Sequence, residues 1–177
     1  GVLTSYSSLF GLDGAGEPIT RIAIPLIQRD YAQGRTDSKT EDVRNDFLDV
    51  LLPALATGNP VGLDFVYGKV TNGTFLPLDG QQRLTTLFLL HWYVGSWTGS
   101  VSPDAAWTHF SYETRPSARL FCESLARHPF PPVEATPADW IRDQPWYLYT
   151  WWNDPSIQSM LVMLDAIHGA AARHDLM

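Results

Sequence analysis

The 177 residues predict an α+β fold, with short strands and helices over about the first 112 residues and a mostly helical remainder. Three observations carry this reading. An Asn72-Gly73 pair separates two runs rich in β-branched and aromatic residues, which predicts a tight antiparallel hairpin. The stretch GQQRLTTLFLLHWYVGSW, starting at Gly80, is apolar on most sides after its first turn, as a helix buried against a sheet must be. The last part of the chain repeats apolar residues at helical spacing behind Asp154 and Pro155, a cap followed by a proline in the first turn.

In chain order, residues 18–27 (PITRIAIPLI) place branched apolar side chains around Pro25, which predicts a short edge strand or an extended entry segment ending in a turn, read here as strand. Over 37–56, Val43, Phe47, Val50, Leu51 and Leu55 recur at helical spacing, with Asp37, Ser38 and Thr40 as caps and Gly58 as the stop. That is an amphipathic helix. Strands over 61–70 and 74–78 flank the turn Thr71-Asn72-Gly73. Gly95, Gly99, Ser100 and Pro103 break the buried helix that follows. A strand is expected over 107–112, a helix over 116–126, a turn-rich connector at HPFPPVEATP and an aromatic helix over 138–152. The final helix presents Ile157, Met160, Leu161, Leu164, Ile167 and Ala171 inward. The expected division is therefore 1–112 and 113–177, the second part incomplete at its C-terminal end.

Composition narrows the function. A chain that is 45% hydrophobic and 18% charged buries a core, which excludes disorder as its main state. Twelve Lys and Arg against nineteen Asp and Glu leave a charge of -7, scattered along the chain. A dominant electrostatic grip on nucleic acid is not expected, though a local basic pocket is allowed. The lone Cys122 makes no internal disulfide and no Cys-rich zinc site, and fits a reducing cytoplasm. The greasiest run, 84–97, is interrupted by His91 and Gly95, so no membrane helix is expected. Residues 1–8 lack the pattern of a secretory signal. A start at Gly1 and an end at Met177 suggest a piece of a larger polypeptide.

The strongest local signal is Leu78-Asp79-Gly80-Gln81-Gln82-Arg83-Leu84-Thr85-Thr86, at a strand-to-helix junction. A helix N-terminus carries positive partial charge, so Arg83 in its first turn is disfavoured unless an anion lies there. Gly80 allows close approach, and Gln81, Gln82 and Thr85 offer neutral donors to phosphate oxygens. Asp79 would repel a polyphosphate unless it holds Mg²⁺ or orients an attacking water. The bland reading has Asp79 capping the helix and Arg83 paired with an acid such as Asp30 or Asp64.

A second signal, Ile24-Pro25-Leu26-Ile27-Gln28-Arg29-Asp30-Tyr31, follows an apolar strand. Arg29 suits a bidentate phosphate clamp, Gln28 a base edge or water, and Tyr31 stacking; a plain surface turn is the competing account. Lys69, at a strand end, and Arg115 and Arg119, one turn apart, would add positive charge to an anion pocket or simply face water. Trp140, Trp146, Tyr147, Tyr149, Trp151 and Trp152 read first as helical core and second as a cage for a nucleobase. His91, His109, His128, His168 and His174 show no metal-ligand spacing, and no HExxH, GxSxG or Walker phosphate loop occurs.

These residues resemble the amino-terminal domain of GmrSD-type, modification-dependent restriction endonucleases. IPLIQRDY, FVYGKV and PLDGQQRLTTLFLL carry the likeness, the last most specifically, and FSYETRPSARLF and DPSIQSMLVMLDAI extend it over most of the chain. The resemblance implies a ParB/sulfiredoxin-like fold, a small mixed sheet with packed helices. It also implies a nucleotide-binding domain that hydrolyses nucleoside triphosphate with Mg²⁺ and licenses cleavage of foreign, often modified, DNA. The motif falls on Asp79, Gly80, Gln81, Gln82 and Arg83, and an upstream one on Pro25, Gln28, Arg29 and Tyr31. Where family members often carry Trp, this chain has Gln33. The HNH nuclease domain usual in the family has no counterpart pattern here, so it is expected in cis or in trans, and a homodimer is allowed. The rival reading is a non-catalytic module, either nucleotide-gated or sensing modified DNA; a third is an assembly domain.

Overall fold

The computed structural model describes residues 1–14, 16–25 and 31–176. Among them run helix α1 (Tyr6–Leu9), strands β1 (Asp13–Gly14), β2 (Glu17–Pro18) and β3 (Arg21–Ile24), helix α2 (Ser38–Thr57), and strands β4 (Tyr67–Thr71) and β5 (Thr74–Asp79). Then come helix α3 (Gln81–Thr98), strand β6 (Phe110–Tyr112) and helices α4 (Pro116–Arg127), α5 (Pro137–Arg142) and α6 (Pro155–Arg173). Short 3-10 turns lie at Ala106–Thr108 and Tyr149–Asn153. The fold is α+β with a small mixed sheet, as expected. It gathers into two compact units, each built from two segments: Gly1–Arg29 with Phe65–Pro131, and Asp30–Asp64 with Pro132–Met177.

In the first unit the sheet order is β4-β5-β3-β6, with β4 and β5 antiparallel and β3 parallel to both β5 and β6. Asn72 and Gly73 have φ of 50° and 70°, the positive pair that a two-residue hairpin turn demands. β3 is an interior strand and not the expected edge, because Pro25 comes after its last paired residue, Ile24, and so removes no ladder donor. Ile22 N–H donates to His109 O at 2.9 Å.

Ile22 stands in register with both Phe75 and Phe110, so the three share one face. Phe88 of α3 stacks on Phe110 at 4.8 Å between ring centroids, which puts α3 on that face. Further along α3, Trp92 Nε1–H donates to Leu125 O at 2.8 Å, tying the helix to the end of α4. Gly95 does not break α3, which runs on to Thr98 and stops at Gly99 with φ 70°. A Cβ at Gly95 would come within 2.9 Å of Ser100 Oγ and 3.2 Å of Trp107, so packing explains that glycine.

The second unit holds α2, α5 and α6. Asp37 accepts the Thr40 N–H at 3.1 Å and Gly58 adopts φ 70°, so both ends of α2 are as expected. Its buried side is not the expected row: Arg44, Leu48, Leu51 and Leu52 are buried, whereas Val43, Val50 and Leu55 are more than half exposed. Arg44 turns inward with this row, its Nη1 anchored by donation to Arg35 O at 3.1 Å. The helix expected over 138–152 is only α5 followed by a 3-10 turn, since Pro145 has no N–H to continue it. On α6 every expected inward residue is buried. Asp154 caps α6 by accepting Ser156 and Ile157 N–H at 2.9 and 3.0 Å.

Candidate functional site

The junction between β5 and α3 is compressed into one residue. β5 ends at Asp79, Gly80 has φ 84°, and the Leu84 N–H already donates to Gly80 O at 2.9 Å. Only glycine takes that backbone conformation without strain. Space reinforces the requirement: a Cβ at Gly80 would sit 2.6 Å from Val66 Cγ2. Helix α3 thus starts with a capping residue that has no side chain, and with no acid in its first turn. Its N-terminal dipole is uncompensated by the usual means.

Into that turn the sequence places a cation. Arg83 is one-fifth exposed, and its Nη2 lies 4.0 Å from Asp79 Oδ2, with the carboxylate 58% exposed. At that separation and exposure the attraction is of order 1 kcal/mol or less. A phosphate with several oxygens competes well against one wet carboxylate at that distance. Asp79 does not cap α3; Gly80 holds the cap position.

The neighbouring polar groups divide into outward and inward sets. Gln81 Nε2 donates back to Pro77 O at 3.2 Å, stapling the helix start to β5. Gln82 is half-buried, and its carbonyl accepts from Thr86 Oγ1 at 3.0 Å. Thr85 is buried: its hydroxyl donates to Gln81 O at 2.9 Å and lies 3.2 Å from the Tyr112 hydroxyl, so it ties α3 to β6. Lys69 is exposed opposite Leu76, on the sheet face away from Phe75 and α3. Tyr31 belongs to the second unit, where it is 1% exposed and its N–H donates to Ser156 Oγ at 3.3 Å. Gln28, Arg29 and Asp30 lie outside the described residues. Asp79, Gly80, Gln81, Gln82 and Arg83 are therefore brought together in the first unit.

The remaining candidates are dispersed. Arg115 is the cap residue of α4 and Arg119 is exposed one turn on. Of the aromatic group, Trp151 and Tyr147 are buried core and Tyr149 is 85% exposed. Among the described residues no group of three His, Cys, Asp or Glu could hold a metal ion, and no helix is long and apolar enough to cross a membrane.

Two residues at the junction lie within FVYGKV but are given no role by the sequence. Val66 fills the space beside Gly80. Tyr67, 60% exposed, stands directly across from Asp79 because an irregularity between Tyr67 and Gly68 shifts the register by one. Counting back from the Asn-Gly turn without that shift would place Tyr67 opposite Leu78. The sequence mark of that irregularity is Gly68, a glycine inside a strand.

The GmrSD restriction endonuclease, N-terminal domain, matches residues 9–163, a span that includes the whole β5-α3 turn. No curated protein and no solved structure matches the chain. The match covers most of the 177 residues and includes the Asp79–Arg83 motif; the chain belongs to the family of GmrSD restriction endonuclease N-terminal domains.

Proposed function

We propose that this domain binds and hydrolyses nucleoside triphosphate at the start of α3, and that this controls a nuclease acting on foreign, often modified, DNA in the cytoplasm. The observation that carries the reading is Arg83 in the first turn of a helix that is capped by glycine and has no acid in that turn. Phosphate oxygens would take the guanidinium and the helix N–H groups, and Asp79 would then turn outward. A single exposed carboxylate suits Mg²⁺, which binds through one or two carboxylates together with substrate phosphates; bound there, Mg²⁺ would neutralise phosphate charge. Asp79 would hold it or orient the attacking water, Gln82 would align that water, and Gln81 would keep the helix start fixed to β5. Gly80 shapes the turn, and Arg29 would add a second cation. DNA and the HNH nuclease domain, in cis or in trans, are the partners that family membership suggests.

The test is release of inorganic phosphate from nucleoside triphosphate in the presence of Mg²⁺. Asp79→Ala and Arg83→Ala are each expected to abolish release, with circular dichroism checking that each variant is folded. Normal turnover by both folded variants overturns the catalytic assignment. Tight nucleotide binding with no turnover by the unaltered chain would instead establish a nucleotide-gated clamp.

A further inference from the structure

Away from the β5-α3 junction, the second unit contains a cleft of about 180 Å³ lined by Gln33, Lys39, Thr40, Val43, Arg44 and Phe47. Lys39, Thr40, Val43, Arg44 and Phe47 follow one another at helical spacing on α2, and Gln33 closes the cleft from the preceding loop. Its chemistry is divided. Val43, 58% exposed, and the half-buried Phe47 form an apolar wall. Lys39 is exposed at the rim, with no acidic partner among the described residues.

Arg44 supplies the unusual element. It is only 7% exposed, yet its charge is incompletely answered. Nη1 donates to Arg35 O at 3.1 Å and reaches Gln33 O at 3.5 Å, but carbonyl oxygens carry only partial charge. Among the described residues, the acid paired with its guanidinium is Glu41, 3.9 Å from Nη2 and half exposed, and Nε is buried with no acceptor. Asp37, the cap residue of α2, is occupied by the Thr40 hydroxyl and N–H, and neither Asp42 nor Asp46 forms an ion pair with Arg44. A buried cation lacking a close anion is costly, and an anion entering the cleft relieves that cost.

We propose that this cleft is a binding site for a small amphipathic anion, an acid group borne on a single apolar ring. The ring lies against Val43 and Phe47, and the acid group lies between Lys39 and Arg44. The volume admits one ring with its acid group and falls short of the several hundred Å³ of sites for larger ligands. A carboxylate or a phosphate satisfies the same cations, so the head group is decided by titration.

The experiment titrates the full chain with benzoate and, separately, with phenyl phosphate, following melting temperature and amide chemical shifts. Acetate, inorganic phosphate and benzyl alcohol serve as controls at matched ionic strength. At least one ring-bearing anion is expected to give a saturable rise in melting temperature, with shift changes centred on residues 33–47, that the controls do not reproduce. Which of the two does so identifies the head group. Lys39→Ala is expected to weaken binding about three- to tenfold and Val43→Asp to abolish it; both sites are exposed, so both variants fold. A rise that acetate matches, a non-saturating rise, or unchanged affinity in both variants overturns the proposal.

Discussion

Replacing Gly80 by Ala tests the geometry of the junction without reference to any ligand. Two separate penalties follow from the structure. An L-residue held at φ 84° in the left-handed region pays about 1–2 kcal/mol. The new Cβ would also lie 2.6 Å from Val66 Cγ2 and 3.2 Å from Val66 Cβ, an overpacking that costs about 1–3 kcal/mol. Together these lower stability by roughly 2–5 kcal/mol, which for a chain of this size is a fall in Tm of roughly 5–15 °C. The measurement is thermal and urea denaturation followed by circular dichroism. Val66→Ala added to Gly80→Ala removes the 2.6 Å contact to Cγ2 but leaves the Cβ contact at 3.2 Å and the backbone strain, so a double-mutant cycle should show coupling of about 1–2 kcal/mol. If Gly80→Ala melts within about 2 °C of the parent, or if Val66→Ala recovers nothing, the account of a glycine required by both conformation and space is refuted.

Three further outcomes are expected. Asp165 accepts the Ala138 N–H at 2.8 Å, yet burial raises its pKa above the ordinary carboxylate value; its stabilising contribution is therefore complete below about pH 4 and is lost as pH rises through the raised folded value. Asp165→Asn, which keeps the accepting oxygen, should then raise Tm at pH 7 by an amount that shrinks toward pH 4, and a gain that grows on acidification would contradict this. Cys122 is fully buried and its thiol is pushed well above the usual range, so iodoacetamide should label it only after unfolding; rapid labelling of the folded chain at pH 8 would refute the packing of α4. Asp154→Ala removes the acceptor of two N–H groups at the start of α6 and should cost about 1 kcal/mol, read as a fall in Tm of about 2–4 °C.

How much was legible before folding varies with the kind of signal. The hairpin at Asn72-Gly73, the caps of α2 at Asp37 and Gly58, and the cap and inner row of α6 were all readable, because each depends on residues within a few positions of one another. The Asp79-Gly80-Gln81-Gln82-Arg83 cluster was readable for the same reason: a strand end, a glycine and a helix start follow in immediate succession. The buried side of α2 was misread, since two apolar rows run along that helix. Only the carbonyls of Gln33 and Arg35, which anchor Nη1 of Arg44, show which row turns inward.

Local sequence by itself determined the helices, the turns and the placement of a cation at the mouth of α3, because those outcomes rest on backbone conformation and on contacts a few residues apart. Tertiary structure alone decided that β3 lies inside the sheet, that Thr85 bonds inward to Tyr112, that Tyr67 faces Asp79 across a shifted register, and that Tyr31 is enclosed in the second unit. The physical reason is that pairing and burial are set by partners distant in the chain. Each compact unit draws on two separated segments, and no short stretch of sequence records which ones will meet.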